Sequence, residues 1–518
     1  MFFSVAGGLR GVVFALCSAL FLEKKFLAVF QQTSYRAKEY FRKLPACAGR
    51  RLAGLFLLAL SLAVLSVIAA ESAVISAVLL SCFAFVSAAF SLFDKTVVGI
   101  VYTARMKRVF VTGAVVYSLA GGVSGTFLPS TLFFLLPAFV CFCPVVPALG
   151  CLPWLPYDRL LRRRAIAACT EKIAGFHGLI RIGITGSCGK TSVKNYLAKM
   201  LSEKYEVLAT PKSFNTPLGI CRTAEKLDGS QDVFLVEMGA RRRGDIAELC
   251  RITKPQIAVM TAVVGQHLET FRTVEEIRRT KYELIESVGE KGYAVFSADS
   301  PLLAPLFRKA PCEKISVGFR GDKSGVRAEN YRQRNEGSEF DLYLRGKPYR
   351  VRNALIGRHN ATDVCLAAAV ALRLGVAEEN IVRAACSLKP VEHRMAVSVT
   401  AAGVTVIDDG YNANAEGIAS GAECLDRFEG KKIVVTPGVT ELGRYRREYN
   451  EKVGEVLASH ADLVVAVGRN GRPIEKGADG KCAVRRVRTL ARAKEVLKET
   501  GIGKGDVVLF LSDLPDAF

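Results

Sequence analysis

Apolar residues run in near-continuous blocks up to about residue 155: Phe2–Leu22 (interrupted by Arg10), Leu52–Ala70, Ala73–Phe93, Val109–Phe127 and Thr131–Leu152. Each is close to the ~20 residues that cross a bilayer core. Several in succession lack the polar face of an amphipathic helix. The pattern predicts about five transmembrane helices within residues 1–155. Beyond that point short apolar stretches alternate with charged, helix-like ones. Ile180–Ile184, Val233–Val236, Ile257–Thr261 and Ala294–Ser297 read as buried strands, separated by helical stretches at Lys190–Ser202, Gly244–Ile252 and Val274–Val288. Lys314–Gly318 and Phe340–Leu344 read as antiparallel strands, and Ala361–Leu374 as a helix. A second alternation begins near residue 395, with strands at Val404–Ile407, Lys432–Val435, Leu463–Val467 and Val507–Leu511. Two α/β units follow from this, a central parallel-sheet domain over 156–392 and a Rossmann-like one over 393–518. Both should bind ligands at the carboxyl ends of their strands.

Charge adds an orientation. Residues 1–164 hold 17 Lys and Arg against 5 Asp and Glu, so +12 of the chain's net +22 lies there. The basic residues crowd into Lys24–Arg51, Lys95–Arg108 and Arg159–Arg164, while the loops near Glu71 and Ser124–Ser130 have none. The positive-inside rule then places the basic loops, and everything after Pro156, in the cytoplasm of a multi-pass membrane protein. Membrane lipids are the partner this implies. Nucleic acid is not, because the excess charge flanks apolar runs. The 15 cysteines form no C-x-x-C pair, and several (Cys17, Cys82, Cys141, Cys143) lie in the apolar runs. That argues against a zinc ribbon or a disulfide framework.

The chemistry centres on Thr185-Gly186-Ser187-Cys188-Gly189-Lys190-Thr191-Ser192, set between a predicted strand and a predicted helix. Glycines there let backbone N–H groups approach phosphate, and the helix start adds partial positive charge. A lysine neutralises phosphate oxygens, and a hydroxyl can ligate Mg²⁺. The full P-loop spacing needs a glycine at 184, where Ile184 stands, so this is a shorter variant. Glu237 ends an apolar run and is placed to hold Mg²⁺. His267 lies just beyond a strand end, where a metal ligand and a structural histidine are equally good readings. Lys281, on the next helix, reads by itself as a solvated or salt-bridged lysine.

Six segments in order resemble the Mur ligases, ATP-dependent amide-forming enzymes of peptidoglycan precursor synthesis. They are Gly183–Thr191, Ser213–Gly219, Val236–Ala240, Gln266–Glu269, Gly357–Asn360 and Ile407–Asn414. The likeness covers about 180–518 and is strongest to the branch that adds D-alanyl-D-alanine to a UDP-N-acetylmuramoyl-tripeptide. It implies that ATP phosphates and Mg²⁺ sit on Gly186, Gly189, Lys190 and Thr191. Glu237 and His267 would be Mg²⁺ ligands, and Lys281 a carbamylated lysine serving as a further metal ligand. Lys190, Lys281 and His267 would form the catalytic set. Asn360 would lie near the adenine, and Asp409, Tyr411, Asn412 and Asn414 would bring the C-terminal domain onto the nucleotide. Asn215 and Arg394 would touch substrate. ATP would convert a carboxylate to an acyl phosphate for attack by an amine. The acceptor reads as UDP-linked or lipid-linked muramyl peptide. A poly-γ-glutamate ligase and a non-catalytic ATP-binding scaffold are the competing readings.

Overall fold

Val233–Glu237 (β3) is buried at every position, as a central parallel strand covered on both faces must be. The computed structural model of the chain describes residues 26–33, 35–42, 44, 100–127, 145–323, 325–334, 337–411 and 414–512. It falls into two compact units, residues 1–162 with 515–518 and residues 163–514.

In the first unit the longest described helix is Ala104–Phe127 (α1). Arg105 and Arg108 near its start bond Asp158 at 2.8 and 2.7 Å, and Trp154 Nε1 donates to Thr112 Oγ1 at 2.7 Å. The expected membrane-spanning region is corrected here. Among the described residues no helix is long and apolar enough to cross a membrane. The Val109–Phe127 run forms most of α1, but Thr112, Gly113, Ser118, Gly121, Gly122, Ser124, Gly125 and Thr126 dilute its apolar character. The runs Phe2–Leu22, Leu52–Ala70 and Ala73–Phe93, and Thr131–Leu152 up to residue 144, lie outside the described residues. The membrane location and lipid partners drawn from those runs are withdrawn with them.

The second unit holds three sheets. The first runs β2-β3-β1-β4-β5-β6, all parallel, from Ile180–Thr185 (β1), Val207–Ala209 (β2), Val233–Glu237 (β3), Ile257–Met260 (β4), Tyr293–Ser297 (β5) and Glu313–Val317 (β6). Side chains alternate across β3. Val233 and Leu235 join the core formed by Val193 and Leu197 of Lys190–Leu201 (α2) and Val364 of Arg358–Arg373 (α3). Phe234 and Val236 face the cluster containing Ile246 and Leu284 of the helices Asp245–Thr253 and Val274–Val288. Strand order reverses direction at β1, which opens a crevice at its carboxyl end. Lys314–Gly318, expected as antiparallel, is instead the parallel edge strand β6. The helical turn Ala304–Lys309 carries the chain back so that β6 enters alongside β5. Arg327–Arg334, Gly337–Leu344 and Lys347–Asn353 (β7–β9) form a separate antiparallel sheet.

The third sheet has the order β10-β11-β15-β12-β13-β14, from Ala396–Val399 (β10), Thr405–Asp409 (β11), Lys432–Thr436 (β12), Leu463–Val467 (β13), Ala483–Val487 (β14) and Val507–Leu511 (β15). Only its edge pair β10–β11 is antiparallel. The loop after β12 is fixed by the fully buried Asn450. Its Oδ1 accepts from Val439 N at 2.9 Å, and its Nδ2 donates to the carbonyls of Val439 and Arg446 at 3.0 and 2.8 Å. Asn450→Leu leaves the buried Val439 amide without its acceptor, so stability should fall by about 1–3 kcal/mol. Urea denaturation checks this, and an unchanged midpoint would contradict the assignment.

Candidate functional site

β1 ends at Thr185, and α2 begins five residues later at Lys190. The turn between them needs its glycines. A Cβ on Gly186 would lie 1.9 Å from Thr261 Oγ1, and one on Gly189 2.7 Å from Asp363 Oδ1. Gly189 also adopts φ 80°, which side-chain-bearing residues rarely do. The loop is braced from the next strand. Ser187 N donates to Ala262 O at 2.6 Å, Val264 N donates to Ser187 Oγ at 3.2 Å, and Thr261 Oγ1 donates to Cys188 O. Thr185 Oγ1 donates to Met238 O at 3.0 Å, tying the loop's entry to the end of β3. Ser192 is buried in the first turn of α2.

Lys190 folds back over the loop, its Nζ donating to the carbonyls of Gly186 and Ser187 at 2.9 Å each. Its pKa lies below the ordinary lysine value because it is buried, with Glu237 opposing that shift and the Arg394 charge adding to it. Glu237, 1% exposed at the last position of β3, receives Thr191 Oγ1 on Oε2 and Asn215 Nδ2 on Oε1, both at 3.0 Å. Lys281, also buried, has its pKa lowered to about 7 by burial and then by the Lys190 charge. Arg394 lies close enough to oppose the burial-driven rise of the Asp363 carboxyl and to add to the burial that holds His359 down at about 4. Cys188 is raised to about 12 by burial and then by Asp363, so its thiol stays protonated. Lys190 and Arg394 therefore bring positive charge to a backbone loop and a helix start, which is a cradle for a polyanion, with the largely neutral Lys281 amine close to Lys190.

The remaining expected residues have protein partners of their own. His267 has φ 54° and turns its Nδ1 to Glu441, while Glu269 N donates to Glu441 O at 2.9 Å. Among the described residues no three His, Cys, Asp or Glu side chains gather as a metal-holding group. Glu237 has Thr191, Asn215 and Lys194 around it, whereas His267 pairs with Glu441. Asn360 accepts from Tyr196 Oη at 2.8 Å and donates to Ile356 O at 2.8 Å, fixing α3 against α2. Asp409 is buried and accepts from Met395 N at 3.3 Å. Tyr411 is 55% exposed and packs edge-on against His393, with the Arg394 guanidinium 5.8 Å from its ring centre. Asn414 is buried and caps the helix Ala415–Glu423 by accepting from Gly417 N at 2.8 Å. Asn412 lies outside the described residues.

Sequence reading missed Lys194, Asp363 and Glu441. The spacing of Lys190 and Lys194, one helical turn apart, was the available signal for Lys194. No local pattern marks Asp363 or Glu441, which meet the loop residues only through the fold.

Residues 184–371 match the Mur ligase middle domain, and 393–514 match the Mur ligase glutamate ligase domain. The UDP-N-acetylmuramoyl-tripeptide–D-alanyl-D-alanine ligase of Mycobacterium leprae is 33% identical over 383 residues, covering 67% of this chain and 73% of that protein. The enzyme of the same name from Mycobacterium tuberculosis is 35% identical over 335 residues, covering 61% and 64%. The chain thus spans slightly less than two thirds of the length of that relative. MurF from Acinetobacter baumannii superimposes with TM-score 0.64 at 27% identity, covering 68% of this chain and 77% of that one. MurF from Thermotoga maritima in complex with ADP gives 0.62 at 29%, covering 68% and 80%. The phosphate loop, the acid at the end of β3 and the two successive parallel sheets are therefore those of a family member: the chain belongs to the Mur ligase family.

Proposed function

We propose that this chain is an ATP-dependent ligase that joins D-alanyl-D-alanine to the carboxylate of UDP-N-acetylmuramoyl-tripeptide. The observation that carries this reading is Thr191 bonded to the buried Glu237 beside Lys190, in a chain whose relatives bear that enzyme name. The donor set fits nucleotide and metal. Gly186 and Gly189 leave no room for a Cβ, Lys190 covers the loop, and a hydroxyl and a carboxylate meet at its edge. ATP supplies an activated phosphoryl group, and Mg²⁺ would offset phosphate charge from Thr191 and Glu237.

The chain's own groups do the rest by position and charge. Lys190 swings from the carbonyls of Gly186 and Ser187 to phosphate oxygen, a short move within the loop. Arg394, at the start of the C-terminal segment, adds a second cation from a different part of the chain. Asp409 and Tyr411, on β11 and just after it, support that cation: Asp409 accepts from Met395 N next to Arg394, and the Arg394 guanidinium lies 5.8 Å from the Tyr411 ring centre. Burial of Glu237, Lys281 and Lys194 keeps bulk water from the acid and amine that face the loop.

Lys281 supports a further element of the reading, carbamylation. Only a neutral amine adds CO₂, forming a new N–C bond and releasing one proton. A buried lysine with a pKa near 7 is substantially neutral at physiological pH. Conversion to a carbamate would also set an anion in place of a buried amine next to the Lys190 charge.

Lys190→Ala should lower amide formation by about 100-fold or more, read as D-alanyl-D-alanine-dependent phosphate release with UDP-N-acetylmuramoyl-tripeptide. Equal turnover in variant and parent would remove the loop from the reaction. Lipid-linked muramyl peptide, offered in parallel, should serve poorly; preference for it would overturn the acceptor assignment. Lys281→Ala should lose activity that short carboxylic acids partly restore, and full activity without added acid would refute the carbamate. In the parent, activity should fall as pH drops through about 7, where the Lys281 amine becomes protonated and can no longer add CO₂.

A further inference from the structure

Lys194 follows Lys190 by one turn of α2, so the two share a helix face. Its side chain is 1% exposed, unusual for a lysine unless a partner compensates. Nζ donates to Lys212 O at 2.5 Å and stands 3.5 Å from Glu237 Oε2. Lys212 itself sits at φ 46°, a left-handed conformation that a long side chain adopts only where its surroundings hold it. The same segment sends Thr210, whose Oγ1 accepts from Glu237 N at 3.1 Å. It also sends Asn215, whose Nδ2 donates to Glu237 Oε1 at 3.0 Å and whose carbonyl accepts from Gly239 N at 3.1 Å. A Cβ on Gly239 would lie 2.7 Å from Asn215 Cγ, so the contact is close as well as bonded.

Both oxygens of Glu237 are thus engaged by groups from outside β3. Thr191 and Lys194 reach Oε2 from the phosphate-loop helix, and Asn215 reaches Oε1 from residues 210–216. We infer that Lys194 and Asn215 are positioning residues that aim the Glu237 carboxylate at a divalent cation, and that Lys194 additionally locks segment 210–216 to the phosphate-loop helix. Asn215 then serves substrate by way of Glu237, with its amide committed to the carboxylate. This inference rests on the reading of Glu237 as a cation-binding acid. A carboxylate with fixed lone pairs binds a cation without first being ordered, which is how outer-shell partners raise metal affinity.

The test measures Mn²⁺ affinity by electron paramagnetic resonance on the full chain with saturating ADP, alongside metal-free ADP affinity and the melting temperature. Lys194→Met and Asn215→Ala should each weaken Mn²⁺ binding about 10-fold or more, with ADP affinity unchanged within about twofold. Mn²⁺ affinity equal to the parent's in both variants would overturn the inference. So would a parallel fall in ADP affinity, which would mean that the loop itself had collapsed. Asn215 is only partly buried, so Asn215→Ala decides the matter alone if Lys194→Met fails to fold. Glu237→Gln separates the two levels. If it weakens Mn²⁺ and the other variants do not, only the positioning role fails. If it too leaves Mn²⁺ binding unchanged, the metal reading of Glu237 fails with it.

Discussion

A carboxylate buried at the end of β3 sets the terms for the whole site. Glu237 is 1% exposed, and an unpaired anion in such a place is costly enough that the surrounding structure must answer it. The answer comes from three directions: the Lys194 ammonium, the Thr191 hydroxyl and the Asn215 amide. Removing one partner of a buried ion pair typically costs about 3–5 kcal/mol, so these contacts also dictate where α2 and residues 210–216 sit. The phosphate loop inherits its position from that arrangement, since α2 begins at Lys190 and β1 lies beside β3 in register, Ile184 opposite Glu237. Function and packing share one anchor.

Around that acid the site is cationic. The Arg394 charge bears on Lys190, and the Lys190 charge on Lys281, although the three come from α2, the helix Val274–Val288 and the segment before β10. The C-terminal segment meets the earlier elements through polar and apolar contacts alike. His267 meets Glu441, His359 Nδ1 lies 2.8 Å from Ser420 Oγ, and Gln333 Nε2 of β7 donates to Cys424 O at 3.1 Å. Met395 and Ile407 belong to the same buried apolar cluster as Phe234 and Leu284.

Much of this was legible from residue patterning. Stretches at 180–184, 233–236, 257–261 and 432–435 became strands because each is long enough only for a strand and is rich in Val and Ile. The glycines at 186 and 189 pointed to a tight phosphate loop for a steric reason that the structure makes concrete. What escaped depends on distant residues. β2, three residues long, carries too little pattern to register as a strand. The direction of β6 follows from its connection, and its own residues do not encode it. Asn414 caps the helix Ala415–Glu423, a role the sequence also signals, because an Asn before Ala-Glu-Gly is an N-cap pattern. Of the apolar blocks before residue 155, the one described throughout, Val109–Phe127, departs from expectation: the hydroxyls and glycines among its apolar residues leave the helix Ala104–Phe127 short of the apolar character a membrane span needs.

The most direct test is the position of a cation. Crystals grown with ADP and Mn²⁺, with data collected at the manganese edge, should place an anomalous peak within coordination distance of Glu237 Oε2 and Thr191 Oγ1, next to the loop 186–191. A Mn²⁺ peak bound elsewhere, with Glu237 still paired only to Thr191, Lys194 and Asn215, would contradict the account.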